Sequence, residues 1–216
     1  MGAETNSSAP LSYLRGASGA GAADDDSGLV SLVQKGGVDA FEQLVARHQK
    51  RMLNIAFRLT NDYDDACEVV QDVFVSAYKN IRSFRGEAKF TTWLTTITVN
   101  LSKNRLKQVR TRQIREPFSL DDPVQTDEGE ITVDAPSREP SVLDRLEKRD
   151  TQNRVQDCIK ALEPDYREVL VLRDMQDFSY DEIAGMLKMR EGTVKSRLFR
   201  AREAIKDCLK KVMGTL

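Results

Sequence analysis

The sequence predicts an all-α protein built as two small helical domains joined by an extended acidic linker. Three observations carry this expectation. Apolar residues recur at helical spacing over about 29–110 and again over about 142–213, and neither stretch carries a strand signal. Between them, residues 111–141 lose all periodicity and hold Pro117, Pro123, Pro136 and Pro140. A structureless stretch of that length is foreign to a compact domain, so it divides two.

Residues 1–28, rich in Ala, Gly, Ser and Asp, are expected to form a disordered tail. Next, Phe41, Leu44, Val45, His48, Met52, Ile55, Ala56 and Leu59 fall on one helical stripe, closed by a turn at Thr60-Asn61-Asp62. A second helix buries Ala66, Val69, Val70, Val73, Phe74, Ala77, Tyr78 and Ile81. Ser83 to Lys89 reads as a loop, and a third long helix starts at Phe90 and carries Trp93, Leu94, Ile97 and Leu101 as its apolar residues. Helices on short connections imply a bundle.

After the linker, Val155, Ile159 and Leu162 form a stripe that Pro164 ends, and Val169, Leu170 and Leu172 follow. Ser179-Tyr180-Asp181-Glu182 has the spacing of a capping box and starts a short helix with Ile183, Ala184 and Leu187. A tight turn near Met189 and Arg190 leads to a long helix carrying Val194, Leu198, Ala201, Ile205 and Leu209. Two helices on a tight turn, the second with a basic outer face, predict a helix-turn-helix.

Composition narrows the function. The 216 residues carry 33 basic and 34 acidic side chains, a net charge of −1, but the charges are segregated. Asp62, Asp64, Asp65, Glu68 and Asp72 form an acidic patch with no base among them. Lys103, Arg105, Lys107, Arg110, Arg112 and Arg115 follow without an acid. The linker and its margin then hold nine acids, from Glu116 to Asp144, against Arg138. The last helix is again basic, from Lys188 to Lys211. Two basic surfaces on an acidic tether suit a protein that meets nucleic acid at two places.

No apolar run reaches the roughly 18–20 residues of a membrane span, and the N-terminus lacks a signal-peptide pattern, so a cytoplasmic location without membrane insertion is expected. Cys67, Cys158 and Cys208 are odd in number and far apart, and are read as small buried or half-buried thiols. His48 is read as a core or surface histidine. One histidine with scattered cysteines draws no zinc site, and no catalytic constellation, metal site or cofactor site is expected.

The candidate binding residues follow from chemistry. Thr96, Asn100, Lys103, Asn104 and Lys107 share one face of the third helix, where amides suit base edges and ammonium groups suit phosphates. The preceding loop offers Phe84 and Arg85, whose planes can stack an unpaired base, beside Gly86, which permits close backbone approach. Phe84 and Trp93 are equally readable as core. On the last helix, Thr193, Ser196, Arg197 and Arg200 share a face flanked by Lys195 and Arg202, and Phe199 sits off the apolar stripe, suited to a thymine methyl or to local packing. The acidic helix, with Asp64, Asp65, Glu68, Gln71 and Asp72, repels phosphates and suits a protein partner. A metal cluster on Asp64, Glu68 and Asp72 is the other reading.

Three stretches resemble the extracytoplasmic-function, or group IV, sigma factors of the sigma-70 family. Asp64-Asp65-Ala66-Cys67-Glu68-Val69-Val70-Gln71-Asp72-Val73-Phe74 resembles the family's core-polymerase-binding helix. Ser83-Phe84-Arg85-Gly86 through Phe90-Thr91-Thr92-Trp93-Leu94 and on to Val99-Asn100 resembles its promoter-melting element. Leu162-Glu163-Pro164, Phe178-Ser179-Tyr180-Asp181-Glu182-Ile183-Ala184 and Gly192-Thr193-Val194-Lys195-Ser196-Arg197-Leu198-Phe199-Arg200 resemble its promoter-reading domain.

The resemblance implies a non-enzymatic initiation factor with a region 2-like domain over 29–110 and a region 4-like domain over 142–213. It implies that the first binds the clamp helices of the largest core RNA polymerase subunit and captures the −10 element through the Phe84 loop and Asn100. It implies that the last helix reads the −35 element of promoter DNA, and that an anti-sigma factor is a partner. A free-standing helix-turn-helix regulator is the alternative, but it leaves the acidic helix and the Asn100 face idle.

Overall fold

A computed structural model describes residues 26–115 and 142–213, and every regular element among them is helical. The tail up to residue 25 and the acidic segment 116–141 lie outside the described residues. The first unit comprises α1 (Ser27–Gln34), α2 (Val38–Thr60), α3 (Tyr63–Asn80), a 3₁₀ turn (Ile81–Ser83) and α4 (Phe90–Arg115). The second comprises α5 (Val142–Lys160), α6 (Pro164–Leu170), a π-helical turn (Val171–Met175), α7 (Tyr180–Leu187) and α8 (Glu191–Met213).

In the first unit α2, α3 and α4 pack against one another around Leu44, Met52, Ile55, Val69, Val73, Leu94 and Val99, all buried. Full burial of each such aliphatic side chain contributes roughly 1.5–3 kcal/mol. Asn61 ends α2 in the left-handed region at φ 60, which asparagine tolerates. Asp62 then caps α3 by accepting from the Asp65 backbone N–H at 2.8 Å.

Two boundaries differ from the sequence expectation. The expected tail ends early, because α1 starts at Ser27 and Asp26 is buried. Its carboxylate meets His48 Nε2 at 2.7 Å and accepts from Arg47 Nη1 at 3.0 Å, so His48 is a buried core histidine with a polar partner. The expected linker also begins late, since α4 runs on to Arg115.

The buried side of α4 agrees at Phe90 and Leu94 and differs elsewhere. Trp93, Ile97 and Leu101 are only half-buried, while Thr91, Thr95, Thr98 and Ser102 are buried beside Leu94 and Val99. A threonine can enter a core by bonding its own helix, and Thr98 Oγ1 donates to the Leu94 carbonyl at 3.0 Å. Small polar side chains hid the true core face from a reading based on large apolar residues.

In the second unit Val155, Ile159, Val169, Leu170, Leu172, Ile183, Val194, Leu198, Ile205 and Leu209 form the core. Pro164 occupies the first turn of α6, where its missing N–H is no loss. Ser179 and Glu182 form the reciprocal capping box at the start of α7. Lys188, at φ 51, turns the chain into α8, and the Met189 N–H bonds the Ala184 carbonyl at 3.0 Å.

The reading of all three cysteines as thiols is corrected. Cys158 on α5 and Cys208 on α8 form a disulfide, because the two helices pack with these Cα atoms 5.7 Å apart, within bonding reach. A separation of 50 residues gave no hint of that proximity. Cys67 remains a free thiol.

The second unit rests on the first. Arg167 donates to the Leu59 carbonyl at 3.0 Å, and Arg51 donates through Nε to Gln176 Oε1 at 3.0 Å and through Nη2 to the Gln176 carbonyl at 3.1 Å. Arg58 bonds the Gln156 side-chain oxygen, and Lys103 bridges Glu168 at 3.1 Å. Arg167 and Glu168 are both buried.

Candidate nucleic-acid interface

The acidic face is held by α3 with its tip pinned to α4. Asp64, Glu68, Gln71 and Asp72 are exposed. Asp65 is not free, because Arg105 Nε donates to it at 2.7 Å while Arg105 Nη1 sits 2.6 Å from Glu68. The hydrogen-bonded Asp65 carboxylate raises the Arg105 pKa above its ordinary value, against the opposing effect of burial. Asp64 and Asp72 are thus exposed with no ion pair to another described residue. No group of metal-binding side chains occurs among the described residues, the Asp64, Glu68 and Asp72 series included.

The loop before α4 has its own architecture. Gly86 lies at φ 75, a left-handed conformation that disfavours a side chain. Gln34 Nε2 donates to the carbonyls of Ile81 and Phe84, both at 2.9 Å, and fixes the loop to α1. Phe84 is half-buried, edge-on to Phe90 at 5.9 Å and beside Trp93 at 5.1 Å. Its ring belongs to an aromatic cluster, whereas Arg85 is exposed.

Asn100, Lys103, Asn104 and Lys107 are all exposed on α4. Lys103 is engaged by Glu168 of the second unit. Thr92 Oγ1 also donates to Glu182 Oε1 of α7 at 3.3 Å. A cleft of about 610 Å³ opens between the loop and α7, lined by Phe84, Arg85, Trp93, Thr96, Asp181 and Glu182. The second unit therefore stands over part of the loop and of the α4 polar face.

On α8, Lys195, Ser196, Phe199 and Arg200 are exposed, while Thr193 and Arg197 are half-buried. Phe199 is 68% exposed, so it is not packed locally. Arg197 pairs with Asp165 at 2.7 Å, and Lys195 with Glu191 at 2.6 Å. Arg200 Nη1 lies 3.4 Å from the Tyr166 hydroxyl at the start of α6. Arg202 serves a different end, since its fork grips Asp174 at 2.9 and 2.5 Å and ties α8 to the π-helical turn.

Sequence reasoning missed Arg167, Glu168, Asp26, Arg105 as a bridge, and the disulfide. Arg167 and Glu168 stand just before an apolar run, and nothing in one-dimensional spacing marks a buried ion there.

These elements make a helical protein with two exposed basic or amide-bearing faces and one acidic face, the class of surface that suits a transcription factor. Residues 44–112 match the family Sigma-70 region 2, and residues 152–205 match Sigma-70, region 4. The RNA polymerase sigma-H factor of Pseudomonas aeruginosa is 33% identical over 190 residues, which cover 88% of this chain and 96% of that protein. The ECF RNA polymerase sigma-E factor of Haemophilus influenzae is 37% identical over 192 residues, 87% of this chain and 97% of that protein. Among solved structures, the sigma factor RpoE in complex with the anti-sigma factor NepR from Bartonella quintana aligns with a TM-score of 0.59 at 26% identity, covering 80% of this chain and 98% of that one. The chain belongs to the extracytoplasmic-function sigma factors of the sigma-70 family, which direct RNA polymerase in transcription initiation. Both units share in the matches, which disfavours a free-standing helix-turn-helix regulator.

Proposed function

We propose that this sigma factor divides its work among three faces. Residues 29–110, extended by the end of α4, form the unit that docks core polymerase and opens the −10 element. Asp64, Glu68, Gln71 and Asp72, with Asp65 as their anchor, meet the basic side of the clamp helices of the largest subunit. Arg85, Asn100, Asn104 and Lys107 engage the −10 strand, with Phe84 and Gly86 shaping the loop and Lys103 joining once Glu168 withdraws. Residues 142–213 read the −35 element through Ser196, Phe199 and Arg200, with Thr193, Lys195 and Arg197 on the flanks.

The observation that carries this reading is the exposure of Asn100, Asn104 and Lys107 on one unit together with Ser196, Phe199 and Arg200 on the other. Amides, guanidinium and an aromatic edge are the groups that read bases. The mechanism is recruitment without a chemical step by the factor itself, in the cytoplasm where its polymerase works. An anti-sigma factor is the expected antagonist, because a solved relative is bound to one.

The test is run-off transcription with purified core polymerase on a promoter library. The wild-type chain should select a two-part promoter, and Ser196→Ala and Arg200→Ala should each shift preference at upstream positions by about 1–3 kcal/mol per contact. Lys206→Ala should weaken transcription without changing preference. An unchanged upstream profile in both reading variants assigns the groove to another face.

A further inference from the structure

Cys158 and Cys208 join the two ends of the promoter-reading unit. The bond closes a loop of 50 residues that contains α6, the π-helical turn, α7 and the recognition half of α8. It ties α5 to the C-terminal half of α8 just where Ile159 and Leu209 are buried, and Arg154 Nη1 adds a bond to the Val212 carbonyl at 2.9 Å across the same helix pair. The two sulfurs differ in access. Cys158 is 1% exposed, whereas Cys208 is half-buried. A unit this small buries a limited core, so a crosslink spanning it is a large part of its stability.

We propose that Cys158 and Cys208 are a reversible thiol-modification site through which low-molecular-weight disulfides set the stability of the recognition-helix unit. A factor that works among cytoplasmic reductants carries such a bond only when the thiol poise shifts, which is the usual sign of a sensing rather than a permanent disulfide. In the forward direction the Cys208 thiolate attacks the small disulfide, forms a mixed disulfide and expels one small thiolate. The Cys158 thiolate then attacks Cys208 Sγ and expels the second. Two protein thiols are oxidised, one small disulfide is reduced to two thiols, and the two protons leave with the released thiolates. In reverse, a small thiolate reaches Cys208 first, because Cys158 is enclosed. Cys67 on α3 lies outside this pair and takes no part.

The experiment uses the full chain, reduced with dithiothreitol or oxidised with glutathione disulfide, each reagent removed before measurement. Peptide mass spectrometry should find Cys158 linked to Cys208 in the oxidised form. Calorimetry should show the transition raised by about 10 °C on oxidation. The shift should vanish in Cys158→Ala/Cys208→Ala and persist in Cys67→Ala. If the double variant does not fold, Cys208→Ala alone, which leaves the buried sulfur in place, serves instead. Run-off activity surviving a heat challenge between the two transitions should be kept by the oxidised form and lost by the reduced one. A shift below about 2 °C, a shift that survives in the cysteine variants, or equal survival of heat overturns the proposal. The survival arm rests on the promoter-reading role of α8. A failure of that role would instead remove upstream selectivity from both redox forms before any heating.

Discussion

Arg167 on α6 donates to the Leu59 carbonyl of α2 at 3.0 Å, and the same guanidinium also caps the end of α5. Its other N–H groups reach the carbonyls of Ile159 at 3.1 Å, Lys160 at 2.6 Å and Leu162 at 2.8 Å. Leu59 lies in the last turn of α2, and Ile159 and Lys160 end α5. One buried cation thus satisfies carbonyls at two helix C-termini from different units, where positive charge is favoured. Burial lowers the Arg167 pKa, so the carbonyls must compensate for its desolvation.

Removing Arg167 should therefore cost far more than an ordinary surface change. Arg167→Ala leaves four acceptors without their donor and should lower stability by roughly 3 kcal/mol. Arg167→Lys should recover only part of this, since an ammonium lacks the planar fork. Urea denaturation of the full chain gives the difference directly. A loss below ~1 kcal/mol for Arg167→Ala would show that water replaces the guanidinium without cost.

Glu168, the next residue, should make the stability of the folded chain depend on pH. Burial raises its pKa above the ordinary 4.5, and Lys103 opposes that shift without cancelling it. A carboxyl whose folded pKa is raised binds its proton more tightly when folded. Its contribution is complete below the ordinary carboxylate value and is lost as pH rises through the raised value. Wild type should therefore lose stability relative to Glu168→Gln across the pH window just above 4.5. Lys103→Met removes the opposing charge and should extend that window upward. Parallel slopes for wild type and Glu168→Gln in paired melting curves would mean that Glu168 is already ionised without penalty.

Most of the helices (though not α1), the capping box and the turn between α7 and α8 were legible because each rests on local chemistry. Ser179 and Glu182 satisfy each other within four residues, and the apolar stripe of α8 needs only the 3.6-residue period. The exposed sides of Asn100 and Arg200 followed from the same period. What spacing did not carry was long-range pairing. Arg105 with Asp65, Lys103 with Glu168, Asp26 with His48, and Cys158 with Cys208 each join residues far apart in sequence. Hydrophobic periodicity reports which side of a helix is inward, not which other helix it meets. The threonine-rich face of α4 escaped even that test, because Thr95 and Thr98 are buried while scoring as polar.

The acidic helix should bind core polymerase through the charges that α4 leaves unpaired. Asp64→Lys with Asp72→Lys should weaken core association by more than tenfold, since close interfacial charge pairs couple by about 1.5–7 kcal/mol. Asp65→Asn should act differently, by leaving Arg105 held to α3 through Glu68 alone and lowering stability as well as affinity. Fluorescence-detected binding to core, run beside thermal melts, separates the two effects. Wild-type affinity in the Asp64 and Asp72 double reversal places the docking surface elsewhere.

Promoter opening should depend on Asn100 more cleanly than on Phe84. Asn100 is exposed on α4, with Asn104 and Lys107 further along the same exposed side, so its replacement should change stability by no more than about 0.5 kcal/mol. Phe84 instead packs against Phe90 and Trp93, so Phe84→Ala should lower the melting temperature through lost aromatic contact as well as any lost stacking on DNA. Extruding a base costs a few kcal/mol, and contacts made only to the unpaired base must offset that cost. Asn100→Ala should accordingly leave the first encounter with duplex promoter nearly intact and reduce the open complex, seen as permanganate-reactive thymines. A template already melted across the −10 region should rescue Asn100→Ala, because the unpairing cost has been removed. The same template should rescue Phe84→Ala only in part, since the fold defect persists. Opening of linear promoter at the wild-type rate by Asn100→Ala would remove this residue from base capture and leave the role to Arg85 and Asn104.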